Sequence, residues 1–193
     1  MIANNAELDA AITEVGERLQ EISDYLDANP EVNGRVRFPR RYIRPAWRFR
    51  SLLTFIQDDT LRRNLSYAFM LYDVFQWVLT RTGLSGTARD MVLKNAIVLL
   101  GSIAESCARG GTAGIIGAKH DYKERTRRMV DRSIISPDLK TELDWLWDTR
   151  NGIHIYLMKD SEYEKYRFED YERSKRAVKQ LLEALRTYHG QTP

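Results

Sequence analysis

Apolar side chains recur at spacings of three and four along most of this chain, and no segment sustains the alternation of a half-buried strand. That period predicts helices throughout, and so an all-α fold. Leu8, Ile12, Val15, Leu19, Ile22 and Leu26 share one face of a helix predicted over residues 5–28, which Pro30 and Gly34 end. The stripe is short for a coiled coil, so it is read as a face packed on the domain or on a partner chain. Pro39 and Pro45 break residues 35–50, and a helix is expected to resume near Pro45 and run through Leu53 and Ile56.

Asp58-Asp59-Thr60 has the composition of a cap for a helix over 60–81, whose wide apolar face includes Leu61, Leu65, Phe69, Tyr72, Phe75 and Leu79. Ser85 or Thr87 opens another helix over 87–108. Both read as central helices of a bundle. Gly110 to Gly114 forms a joint before an amphipathic stretch over 121–132. Ser136-Pro137-Asp138 combines a capping hydroxyl, a proline at the first helical position and an acid in the first turn. A last helix is expected to start at Asp160 or Ser161, with Glu164 completing a capping box. It presents Val178, Leu181, Leu185 and Tyr188 on one face and ends near Gly190. The expectation is one helical domain over residues 1–193: a bundle over 59–190, preceded by an extra helix and a basic connector over 1–58.

The net charge of +3 constrains little, but its distribution is uneven. Residues 1–34 hold eight acidic side chains and one basic one; residues 35–50 hold seven arginines and no acid. Arg35, Arg37, Arg40, Arg41, Arg44, Arg48 and Arg50 alternate with Phe38, Tyr42, Trp47 and Phe49. Guanidinium groups grip phosphates and aromatic rings stack on unpaired bases, so this segment is a candidate RNA-binding surface. The competing reading makes the aromatics core anchors and pairs the arginines with the acidic first helix.

Cys107, the single cysteine, excludes an intrachain disulfide and reads as a buried thiol. The start of the chain lacks the order of a secretory signal, and no run of about 18 apolar residues suggests a span, so a cytoplasmic protein is expected. His120, His154 and His189 have no paired ligand spacing, so no metal and no cofactor is expected. Gly111, Gly114 and Gly117 with Lys119 lack the spacing of a phosphate loop and read as a hinge.

Arg150-Asn151-Gly152-Ile153-His154-Ile155-Tyr156 carries the sharpest chemistry. On a continuing helix, Leu143, Leu146, Arg150 and His154 fall on one side, so two polar groups extend an apolar stripe. Such groups need partners or a function. The alternative is a helix end, where Arg150 meets the terminal carbonyls and His154 fills a surface gap.

The run from Trp145 to Tyr156 resembles the signature of the HEPN superfamily, small helical bundles found in toxins, phage-defence systems and CRISPR effectors. Arg150, Asn151 and His154 match that motif in type and order, with three residues between arginine and histidine where the commonest form has four to six. The stretch from Lys94 to Glu105 resembles the long central helix that precedes the motif and often contributes an acid. The resemblance covers roughly residues 60–188. It implies a HEPN-like bundle of up-and-down helices and a metal-independent endoribonuclease of phage defence or a toxin–antitoxin pair. It also implies RNA as partner and a homodimer in which two motifs line one cleft. His154 is then general acid or base for attack by a ribose 2′-hydroxyl, and Arg150 stabilises transition-state charge. Asn151 orients the histidine or binds a phosphate oxygen, with Glu105 in support. Tyr156 matches the position of a tyrosine that an antitoxin adenylylates in some members, against the reading of an ordinary half-buried tyrosine. The alternative for the whole chain is a non-catalytic helical module that binds RNA or another protein.

Overall fold

The structure, a computed structural model, describes residues 1–152 and 165–190. These form seven helices and no strand: α1 (Asn5–Ala28), α2 (Ala46–Leu52), α3 (Asp59–Arg81), α4 (Gly86–Gly111), α5 (Tyr122–Asp131), α6 (Pro137–Asn151) and α7 (Phe168–Tyr188). The fold is all-α, as the periodicity predicts. The chain divides into two compact units, residues 1–40 and 41–193. The division falls at 40/41 rather than at residue 58 because the second half of the connector joins the bundle: Phe49, Leu53, Phe55 and Ile56 are all core residues.

In the first unit, α1 starts on an Asn4 side chain that accepts from the Glu7 backbone N–H at 2.9 Å, while Glu7 accepts from the Ala3 N–H at 2.8 Å. This reciprocal cap fixes the first turn. The helix buries none of its residues, and Leu8, Ile12, Val15, Leu19 and Ile22 remain exposed on it.

In the second unit, α4 is the axis: it packs against α3, α6, α7 and α5, while α2 lies on α3. Ala96, Ile97, Leu100, Ile103, Ala104, Cys107 and Ala108 are buried along it. By length and composition α4 is also apolar enough to cross a membrane, but 56% of that window is buried inside the bundle, as befits a core helix. Burial pushes the Cys107 thiol up to about 12, so it is inert packing.

Two caps follow the sequence expectation: Asp58 accepts from the Leu61 N–H at 3.0 Å, and Ser136 from the Leu139 N–H at 3.1 Å. Three expectations are corrected. The helix that resumes near Pro45 ends at Leu52, so Leu53 and Ile56 lie beyond it. Asp160, Ser161 and Glu164 lie outside the described residues, residues 165–167 are not helical, and the last helix starts at Phe168, where Asp170 accepts from the Arg167 N–H at 3.2 Å. Its face buries Val178, Leu181 and Leu185 but leaves Tyr188 43% exposed, because the packed face ends a turn earlier.

The glycine-containing joint after α4 is held by Arg125, a buried side chain of α5. Its guanidinium donates to the Thr112 hydroxyl at 2.8 Å and to the Gly117 carbonyl at 3.0 Å, and Thr112 donates on to the Ala108 carbonyl at 2.6 Å. A cation thus sits at the carbonyl end of the longest helix, where the helix dipole offsets part of its desolvation.

Candidate functional site

Helix α6 carries Leu139, Leu143 and Leu146 into the core at spacings of four and three, and Arg150 continues that stripe at the last turn. The stripe meets α4 at Gly101. A Cβ built there would lie 2.9 Å from the Arg150 Cβ and 3.2 Å from its Cγ, so only glycine lets the two helices approach this closely. Glu105, one turn further along the same face of α4, receives the guanidinium, with 3.6 Å between Arg150 Nη2 and Glu105 Oε2. Glu105 is shared: its other oxygen lies 3.3 Å from Arg109 Nε.

Arg150 is held on two further sides. Its Nη1 donates to Asn151 Oδ1 at 2.9 Å, and its Cζ lies 5.0 Å from the centre of the Trp147 ring. Trp147 in turn stacks on Tyr122 at 4.6 Å between centroids and 16° between planes. The Tyr122 hydroxyl is buried without a hydrogen-bond partner among the described residues. Burial raises its pKa, with Asp144 and Glu105 adding to the rise. Guanidinium offers five donors. Among the described residues Arg150 makes one hydrogen bond, and its ion pair with Glu105 is longer than a hydrogen bond. Among the described residues the arrangement positions a cation with donors not used by Glu105 or Asn151.

Gly152 closes α6, its N–H reaching the Asp148 carbonyl at 3.0 Å. His154 and Tyr156 lie outside the described residues, so the structure unites Arg150, Asn151 and Glu105 of the sequence-predicted set. A hollow of about 320 Å³ beside the end of α6 is lined by Trp145, Asp148, Thr149, Lys165, Tyr166 and Asp170. It opens on a different face of the helix from Arg150. Among the described residues no three histidine, cysteine or acidic side chains group as a metal site.

The seven connector arginines separate into two kinds. Arg35, Arg37 and Arg40 belong to the first unit and are exposed. In the second unit Arg41 occupies the left-handed backbone region at φ 68°, and Arg48 is exposed with Arg50 half-buried. Arg44 stands apart. Its guanidinium grips the buried Asp73 of α3 through Nη2 at 2.6 Å and Nε at 3.0 and 3.2 Å, and its backbone N–H reaches the same carboxylate at 2.8 Å. The Asp73 hydrogen bonds hold its pKa above the ordinary value. Arg44 also lies over the Phe49 ring at 4.6 Å. Its Nε and Nη2 are therefore committed inside the bundle, and its acidic partner is on α3 rather than on the first helix. Phe49 stacks on Phe69 at 5.2 Å as a core anchor.

Gly101, Trp147 and Arg109 complete the site and were not singled out from the sequence. Gly101 left one trace there: a glycine inside an apolar helix, four residues before Glu105.

No protein-family model and no curated protein matches this chain. Among solved structures the chain is similar to YutE of Bacillus subtilis, described as a cytosolic protein of unknown function. The identity is 18% and the TM-score 0.51, over 69% of this chain and 91% of that one. A likeness at this identity is one of fold: the helical bundle is shared.

Proposed function

We propose that this chain is a metal-independent endoribonuclease of the HEPN type, acting in phage defence or a toxin–antitoxin system. In this reading it works as a homodimer whose two Arg150/His154 sites line one cleft. The observation that carries the proposal is Arg150 itself: a cation on the last turn of α6, steadied by Glu105, Asn151 and Trp147, with donors that no other described residue takes up. The histidine of the motif follows it by four positions. His154 takes the proton from a ribose 2′-hydroxyl as its oxygen attacks the adjacent phosphorus. The P–O5′ bond breaks, the 5′-oxygen leaves with a proton taken from water, and a 2′,3′-cyclic phosphate remains. Arg150 stabilises the charge gathered on the phosphoryl oxygens. Asn151, whose side-chain oxygen accepts from Arg150, orients that guanidinium. The likeness to a protein described as cytosolic supports a cytoplasmic setting.

The test is cleavage of a labelled single-stranded RNA in the presence of EDTA. The wild type is expected to cut, and His154→Ala and Arg150→Ala to be inactive while keeping the wild-type circular dichroism spectrum. Cleavage that survives His154→Ala, or that requires added divalent metal, overturns the mechanism. Sedimentation that shows only monomer at working concentration removes the shared cleft.

A second reading, a non-catalytic module binding RNA or another protein, is favoured by Arg35, Arg37 and Arg40, which are exposed. Under it the wild type binds RNA without cutting. Replacing these three arginines by alanine then lowers affinity and flattens its dependence on salt. Affinity indifferent to both changes overturns phosphate-led binding.

A further inference from the structure

The bundle contains an apolar hollow that the ribonuclease reading does not use. It lies among α2, α3, α4 and α7 and measures about 240 Å³. Apolar cavities of about 150 Å³ already accept a benzene ring, so this one is large enough for a ligand. Phe49, Leu53, Phe69 and Leu100 form its floor, all buried, and Val178 and Leu182 of α7 form one wall. Close-packed interiors leave few voids of this size.

The charged groups around the hollow share one sign. Arg44, Lys175 and Lys179 line it, Tyr72 and Gln76 add uncharged polar groups, and among the described residues no acidic side chain lines it. The pattern follows from helical spacing: Lys175 and Lys179, like Val178 and Leu182, are four residues apart, so α7 presents an apolar pair beside a cationic pair. Arg44 is committed to Asp73. Lys175 pairs with Glu172 at 2.6 Å in a half-buried contact and lies 5.6 Å from the centre of the Tyr171 ring, and Lys179 pairs with Glu183 at 3.8 Å on the surface. Partly exposed pairs of this kind are worth little and exchange readily for a better anion. An apolar pocket with a few convergent polar groups is the usual form of a small-molecule site.

We infer that this hollow binds a small amphipathic carboxylate, its hydrocarbon chain against Phe69, Leu100 and Val178 and its carboxylate between Lys175 and Lys179. The occupant is a free monomeric acid, since the opening is a pocket rather than a long groove, and the charge complementarity asks for one anionic head.

The full chain titrated with decanoate below its micelle concentration tests this. Expected are saturable one-to-one binding by calorimetry and shifts in the methyl resonances of Leu53, Leu100, Val178 and Leu182. Decanol, which lacks the charge, and the Lys175→Ala/Lys179→Ala variant with decanoate are each expected to bind about tenfold more weakly. Leu182→Trp blocks the opening and is expected to abolish binding; if it fails to fold, Leu52→Trp, at the 37% exposed Leu52, serves instead. Absence of saturable binding, equal affinity for decanol, or unchanged affinity in the double lysine variant overturns the inference. RNA cleavage is not a readout, so the failure of one proposal leaves the other standing.

Discussion

Arg44 and Arg150 both come from stretches that look functional in the sequence, and the bundle treats them in opposite ways. Arg44 meets a carboxylate that is almost wholly buried and gives it its backbone N–H and two side-chain nitrogens. Arg150 meets a carboxylate already shared with Arg109, at a distance too long for a hydrogen bond. The two side chains are similarly exposed, 38% and 32%, so burial of the arginine does not distinguish them. The acceptor does. An arginine whose acceptor is buried and close is clamped in place; one whose acceptor is shared and distant is held loosely enough to turn toward a ligand.

The strongest test of that contrast is Arg44→Met. It leaves Asp73 buried and without its guanidinium, and unpaired buried charges are costly. Allowing for the partial exposure of Arg44, a loss of about 3 kcal/mol is expected in urea denaturation. A loss below about 1 kcal/mol would mean that the pair is not a clamp, and the contrast with Arg150 would fail.

Gly101→Ala attacks the other side. The new methyl meets the Arg150 Cβ, which is fixed to the α6 backbone and cannot swing away, so the helices must separate. Overpacking of this kind costs about 1–3 kcal/mol, and the better helix propensity of alanine returns up to about 1 kcal/mol. A net loss of about 1 kcal/mol is expected and, under the proposed ribonuclease reading, a larger fractional loss of RNA cleavage as Arg150 moves. Stability and cleavage that both match the wild type would show that the close approach does not position Arg150.

Arg150→Ala should be milder still on stability, below about 1 kcal/mol, because the ion pair is long and partly exposed and the ring contact is modest. The two urea midpoints, Arg44→Met against Arg150→Ala, are the direct comparison. Equal losses would make Arg150 a structural residue like Arg44, and the case for a ribonuclease site would weaken with it.

What the sequence made legible follows from range. The caps at Asp58 and Ser136 act within three residues, and the apolar faces of α3, α4 and α6 repeat within one helix. Partners such as Asp73 for Arg44, 29 residues away, depend on which helix lies beside which. The same holds for Gly101 beneath Arg150. The start of α7 failed for a different reason: an acid three residues after a cap occurs at both Ser161/Glu164 and Arg167/Asp170, and local pattern does not choose between them. Of the candidate site, the identities of Arg150, Asn151 and Glu105 were readable, and the geometry joining them was not.

Arg173 and Glu142 provide an intermediate case that sharpens the comparison. The guanidinium of α7 grips a carboxylate of α6 at 2.6 and 3.0 Å, two-pronged like Arg44, while both side chains are about a third exposed, like Arg150. Arg173 also stacks over Trp145 at 3.9 Å. The Arg173 hydrogen bond holds the Glu142 carboxyl below its ordinary 4.5. Its contribution to stability is therefore complete above pH 4.5 and is lost as pH falls through the lowered value. Solvent screening keeps it small, about 0.5 kcal/mol. The expected result is that Glu142→Gln is less stable than the wild type at pH 7 and that the difference narrows as pH falls below 4.5, measured by urea titration at each pH. If the difference instead reaches that of Arg44→Met at pH 7, two-pronged geometry matters more than burial of the acceptor, and the rule that separates Arg44 from Arg150 must rest on hydrogen-bond count alone.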